Sequence, residues 1–153
     1  MAFEKTPRGT YGQKIPPYAG PLMKMINPLM RWQVRRSSRA TGMSLVDLTT
    51  IGAKSGQRRH TILGALPDGD GAWLIAASAG GSVANPAWYH NLAAHPDQAQ
   101  LMVGRDTHPV HATQLTGAER DGAWEKIVAA GPRYAGYVAK TDRVIPVIRL
   151  TTA

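Results

Sequence analysis

The sequence contains no cysteine, which excludes a disulfide framework, a thiolate metal site and a cysteine nucleophile. It also lacks the charged n-region and long apolar run of a signal peptide or spanning helix, so a cytoplasmic protein is expected. Acids are scarce early in the chain. Residues 1–60 hold eleven of the eighteen Lys and Arg but only Glu4 and Asp47, leaving that part near +9 and the remainder near −1. A local basic excess implies an anionic partner: a nucleic acid, an anionic membrane, or a phosphorylated or polycarboxylate small molecule. His60, His90, His95, His108 and His111 form no H-x-x-x-H or H-E-x-x-H pattern and have no acids clustered with them, so no metal is expected. What is present is material for one core, since 153 residues at 43% hydrophobic bury roughly 70% of their unfolded surface.

Residues 1–20 carry Pro7, Pro16, Pro17, Gly9, Gly12 and Gly20 with little apolar periodicity and read as an extended or partly disordered arm. Leu22, Met25, Ile26 and Leu29 then fall at helical spacing among Lys24, Arg31, Arg35 and Arg36. Such a basic amphipathic helix, residues 21–36, could lie on a membrane surface or simply cover the core with solvated arginines. Residues 1–40 are thus an arm and helix, and residues 41–153 the folded domain.

Within that domain, Ser44 to Ile51 and Arg59 to Leu66 read as strands joined by a turn over Gly52 to Gln57. Asp68-Gly69-Asp70-Gly71 is a hairpin signal, because Asp and Gly tolerate the positive φ such turns need. Ala72 to Ala77 follows as a buried strand. Asn85 as N-cap and Pro86 at the first helical position start a helix that Pro96 stops. Gln100 to Val103 and His108 to Gln114 are strands about Gly104. Thr116 and Glu119 make a capping box for a helix ended by Gly131-Pro132. A short helical turn carries Tyr134 and Tyr137, and the last strand is Val144 to Leu150, with Pro146 marking an edge or bulge. The sum is an α+β fold: about six short, mostly antiparallel strands forming a partly closed barrel, with helices after the third and fifth.

Several groups suit an anion and a flat ring. Lys54, Arg58 and Arg59 lie on and after a glycine turn, whose N–H groups could meet a phosphate or carboxylates; a solvated hairpin tip has the same composition. It is not a P-loop, since the G-x-x-x-x-G-K-[ST] spacing is absent. Ser78-Ala79-Gly80-Gly81 ends a buried strand, where bare glycines let a ligand approach the backbone. Ser78 is no hydrolase nucleophile, because Ala76 replaces the first glycine of the elbow. Trp88 in the first turn of the next helix could stack on a ligand or fill the core. Tyr134 and Tyr137, three apart, share one helix side and could line a pocket or donate a proton. No triad or carboxylate pair is visible, so the hard chemistry of any enzyme here belongs to a cofactor. No stacking platform interleaves with the basic residues, so nucleic acid is not expected.

Three stretches, L-T-T-I-G-A-K-S-G-Q-R-R, A-A-S-A-G-G and N-P-A-W-Y-H-N-L-A-A-H-P, occur in this order between residues 48 and 96. In these the chain resembles the deazaflavin-dependent nitroreductase family, F420-dependent oxidoreductases of actinobacteria with a split β-barrel related to the FMN-binding, pyridoxamine-phosphate-oxidase-like barrels. The resemblance covers about residues 45 to 150. It implies coenzyme F420, with Lys54, Arg59 and less strongly Arg58 holding the phosphate and glutamate tail. Ser78, Ala79, Gly80, Pro86 and Trp88 would then bracket the deazaflavin ring. It implies hydride transfer to an activated alkene, quinone or nitro compound, with Ser78 polarising a carbonyl and Tyr134 or Tyr137 donating a proton. The departures from the family pattern are Ile62-Leu63 for a Pro-Leu pair, Gly64 for an aromatic residue and Gly131 for a tyrosine. They suggest a more open pocket and a small hydrophobic conjugated carbonyl or quinone as substrate. An FMN oxidoreductase of the same barrel type, and a non-enzymatic module binding an anionic ligand or membrane, are the alternatives.

Overall fold

The computed structural model describes residues 3, 5–12, 43–78, 81–82 and 84–153. The amphipathic helix expected over residues 21–36, and Ala79 and Gly80, lie outside the described residues. Six strands form the barrel: β1 (Ser44–Ile51), β2 (Arg58–Pro67), β3 (Ala72–Ala76), β4 (Ala99–Val103), β5 (Asp106–Gln114) and β6 (Val147–Thr152). Three helices flank them: α1 (Ala87–Ala94) after β3, then α2 (Gly117–Ala130) and α3 (Arg133–Lys140) after β5. Every strand pairing is antiparallel, and the order β1-β2-β3-β6-β5-β4 closes through β1 and β4. The expected six-stranded barrel with helices at these two insertions is what forms.

Strand periodicity sets the two sides of the wall. On β1, Val46 and Leu48 turn inward and are fully buried. They meet Ala65, Ile75, Leu101, Val110, Ile148 and Leu150 from the other strands. Each such aliphatic side chain contributes roughly 1.5–3 kcal/mol on burial. Helix α1 closes one end of this interior, adding Trp88, Tyr89 and Leu92 to the same core. A second core lies outside the wall. There α2 and α3 lay Ala123, Ile127 and Tyr134 over Leu74, Leu115 and Val147.

The β2–β3 seam is short. Eight residue pairs join β1 to β2, but only Leu66↔Leu74 and Pro67↔Trp73 join β2 to β3. From Arg58 to Ala65 the β2 edge away from β1 therefore has no strand neighbour among the described residues. The seam closes at the expected hairpin, where Gly69 and Gly71 take φ of 81° and 65°.

Three local expectations are corrected. Pro86, not Asn85, is the N-cap of α1, because the Asn85 amide is drawn into a long-range network described below. Thr116 is the N-cap of α2 but makes no side-chain capping bond, and Glu119 instead accepts a hydrogen bond from Arg149 at 3.2 Å. The last strand starts after Pro146, not at Val144. Pro146 lends only its carbonyl, to the Ala77 N–H at 2.9 Å, so the missing proline donor costs the ladder nothing. Residues 5–12, expected as a loose arm, run along the barrel. The Thr6 N–H donates to the Tyr89 hydroxyl at 3.0 Å, and Phe3 packs 5.4 Å from that ring.

Candidate functional site

The turn between β1 and β2 is built from both sides. Within it, the Gly52 N–H donates to the Gln57 carbonyl at 2.7 Å and the Gly56 N–H to the Gly52 carbonyl at 3.0 Å. Gly56 has φ of 70°, a conformation that glycine adopts at little cost. From below, Asn91 of α1 accepts from the Ala53 N–H at 3.0 Å and donates to Thr50 Oγ1 at 3.1 Å. The last asparagine of N-P-A-W-Y-H-N thus anchors the basic turn to the helix that closes the barrel. Lys54, Arg58 and Arg59 are exposed. Strand alternation sends Arg58 and Arg59 to opposite sides of β2. Arg58 donates to Gln100 Oε1 at 2.9 Å, whereas neither Lys54 nor Arg59 has a carboxylate partner among the described residues. Two unneutralised cations beside a glycine turn fit a polyanionic tail.

Ser78 is partly buried just beyond β3. Its carbonyl accepts from the Gly81 N–H at 2.9 Å. The same carbonyl also accepts from the Arg143 guanidinium at 2.7 Å. Gly81 then joins this segment to α3. A Cβ on Gly81 would lie 2.9 Å from Lys140 Cβ and 3.1 Å from the Tyr137 carbonyl, and the residue has φ of 83°. Only glycine permits both this backbone and this approach.

At the far end of β2, Tyr134 is buried and Tyr137 half-buried, their rings edge-on at 5.5 Å. A cleft of about 440 Å³ opens here, lined by Met43, Ser44, Leu45, Gly64, Arg133 and Tyr134 together with Ala130 to Pro132. Gly64 and Gly131, expected to open the pocket, both line this cleft. A Cβ on Gly64 would meet the Tyr134 hydroxyl at 3.1 Å, and one on Gly131 would meet the Tyr134 ring at 3.0 Å. Tyr134 occupies the room that both glycines release, and the open volume lies beside it. Arg133 sits 5.5 Å over the same ring.

Along β2, Arg59 thus lies toward the basic turn, and Gly64, against the Tyr134 hydroxyl, lies five residues further on. Those five steps span roughly 16–17 Å at strand spacing. Pro86 ends the segment after Ser78 as the N-cap of α1, and Trp88, at 8% exposure, packs into the barrel core. Among the described residues no group of three His, Cys, Asp or Glu is placed to hold a metal.

Arg143 was not anticipated. It is 5% exposed, and its guanidinium donates to the carbonyls of Ala77 at 2.9 Å, Ser78 at 2.7 Å and Ser82 at 3.0 Å, and to Asn85 Oδ1. Burial lowers its affinity for the proton, while the nearby Tyr89 raises it; an arginine so placed stays charged. Asn85 Nδ2 donates in turn to the Thr6 carbonyl and hydroxyl, both at 3.2 Å. Because these contacts span 58 to 79 residues of chain, no local pattern signals them.

A closed antiparallel barrel with a two-pair seam between β2 and β3, a cation-bearing turn at one end and a tyrosine-lined cleft at the other defines a split-barrel, cofactor-binding class of protein. The chain belongs to the F420H(2)-dependent quinone reductase family, whose model matches residues 25–152. An F420H(2)-dependent quinone reductase of Mycobacterium tuberculosis is 42% identical over 107 residues, which are 68% of this chain and 70% of that protein. A solved F420-H2 dependent reductase, FDR-A, is 39% identical with a TM-score of 0.63, covering 69% of this chain and 92% of its own. A solved domain-swapped dimer is 32% identical with a TM-score of 0.65, covering 86% of this chain and 97% of its own. The haem storage protein HutZ of Vibrio cholerae, 15% identical with a TM-score of 0.51 and covering 84% of this chain and 90% of its own, shares the fold alone. The resemblance to F420-dependent oxidoreductases and the split-barrel expectation are both borne out.

Proposed function

We propose that this chain is an F420H2-dependent reductase that takes a quinone or a related conjugated carbonyl as substrate. The observation that carries this reading is the course of β2: its edge away from β1 has no strand neighbour from Arg58 to Ala65 among the described residues, and it leads from the cation-bearing turn to the tyrosine cleft. Lys54 and Arg59 bind the phosphate and carboxylates of the cofactor tail, with Arg58 held aside by Gln100. When bound, F420H2 supplies a hydride to an electrophilic carbon. The Ser78 hydroxyl, which makes no side-chain hydrogen bond among the described residues, orients a carbonyl of ring or substrate. The apolar floor of the cleft accepts a small hydrophobic molecule, and the phenol oxygen of Tyr134 or Tyr137 holds the proton that the reduced substrate requires. The family resemblance adds Ala79, Gly80 and Pro86 to the residues that meet the ring, and Trp88 supports α1 from the core.

Titration of the purified protein with F420, followed by fluorescence at low and high salt, tests the reading. Saturable binding is expected to weaken with salt and to weaken about tenfold in Lys54→Ala, the equivalent of one 1.4 kcal/mol contact. Absence of F420 binding, with FMN bound in its place, would overturn it.

Among the described residues no helix is long and apolar enough to cross a membrane. The four cations of residues 21–36 support peripheral contact with an anionic bilayer, where a lipid-soluble quinone would be met. Flotation with anionic liposomes, with and without residues 1–36, tests that contact.

A further inference from the structure

The guanidinium of Arg143 ties together two stretches of the connection between β3 and α1. Ala77 and Ser78 leave β3, while Ser82 and Asn85 lead into α1. Four acceptors converge on the fork, three backbone carbonyls and one side-chain amide. All are neutral, so this buried cation has no carboxylate partner among the described residues. Asp142 is adjacent in sequence, but its carboxylate points to the arm, accepting from the N–H groups of Thr10 at 2.8 Å and Tyr11 at 3.2 Å. Replacing such a fork by a single ammonium loses the planar geometry that lets one side chain reach several carbonyls.

We infer that Arg143 is the positioning residue of the site. It fixes Ala77, Ser78 and Ser82 relative to one another and to the start of α1, and through Asn85 and Thr6 it makes residues 5–12 part of the same clamp. This inference rests on the proposed reductase function. It adds that the geometry facing the cofactor ring is set by a residue that touches neither ring nor substrate. Lys54 and Arg59, on the turn before β2 and at its start, are not among the partners of the fork, so tail binding does not depend on it. Loss of the fork therefore separates two quantities that a general loss of folding would move together.

The test uses Arg143→Lys, with Asn85→Ala as a second variant in case the first folds poorly. Circular dichroism and thermal melts establish the folded fraction. F420 affinity is expected to stay within about threefold of the parent. The kcat of quinone reduction is expected to fall by tenfold to about a hundredfold, the loss that a misplacement of about 1 Å brings. In the ligand-free protein, the Gly81 amide, which now donates to the Ser78 carbonyl at 2.9 Å, is expected to lose protection from hydrogen exchange. Unchanged kcat and unchanged Gly81 protection in both variants would overturn the inference. So would a fall in kcat and affinity that merely follows the folded fraction. If the parent protein itself binds no F420, the reductase reading fails, and the exchange result alone still decides whether Arg143 holds the loop.

Discussion

Removing the Asn91 side chain isolates the join between the basic turn and the barrel. In Asn91→Ala, Thr50 Oγ1 loses the donor 3.1 Å away and the Ala53 N–H loses its acceptor at 3.0 Å. Thr50 is 1% exposed, so water cannot easily replace the lost partner, and a buried unsatisfied group costs about 1–3 kcal/mol. Ala53 is exposed, so its N–H is rehydrated and only about 0.5 kcal/mol is lost there. The sum is about 1.5–3.5 kcal/mol. For a chain of this length each kcal/mol moves Tm by about 2–4 °C, so a drop of roughly 3–14 °C is expected by calorimetry. In the double variant with Thr50→Val, the buried hydroxyl is gone before its partner is removed. The two changes should then cost about 1 kcal/mol less than their sum. Amide exchange at Ala53 should rise selectively. A Tm shift below 2 °C, or strict additivity with Thr50→Val, would refute the claim that α1 holds the turn.

The two glycines against Tyr134 should respond differently. In Gly64→Ala the new methyl meets the ends of the Met43 and Tyr134 side chains, so urea denaturation should show less than about 1 kcal/mol of change. In Gly131→Ala it meets the Tyr134 ring at 3.0 Å, and the loss should be about 1–3 kcal/mol; equal tolerance would mean that the ring is not wedged there. Asp142 supplies a pH dependence. Hydrogen bonding, first from the Thr10 hydroxyl, holds its carboxyl below the ordinary value of 3.8. The unfolded chain therefore protonates first, and the contribution of Asp142, full above that value, is lost as pH falls through the lower folded one. NMR shifts of the Thr10 and Tyr11 amides should move only below about pH 4, and Asp142→Asn should abolish the transition; an amide transition above pH 4 would contradict the assignment.

The barrel was legible where a residue's conformational demand is local. Asp68-Gly69-Asp70-Gly71 requires positive φ whatever surrounds it, and the spacing of turns then leaves few ways to pair six strands. Asn85 and Glu119 failed as caps because each found a stronger distant partner, a guanidinium in both cases, which local capping rules do not include. Arg143 was invisible for the same reason. The resemblance supplied Lys54, Arg59, Ser78 and the tyrosines as a set, and the course of β2 from the turn to the cleft could be read only once the two-pair seam with β3 was seen. That Gly64 and Gly131 are filled by Tyr134 rather than left vacant needed coordinates, because a missing side chain does not reveal which neighbour takes its volume.

The strand order has a consequence for synthesis. Since β6 lies between β3 and β5, neither has that neighbour until residues 147–152 leave the ribosome. The bare edge of β3 therefore waits through the making of seventy residues, and that of β5 through thirty-two. Such edges invite pairing with other nascent chains, which makes the rate of translation between β3 and β6 a determinant of soluble yield.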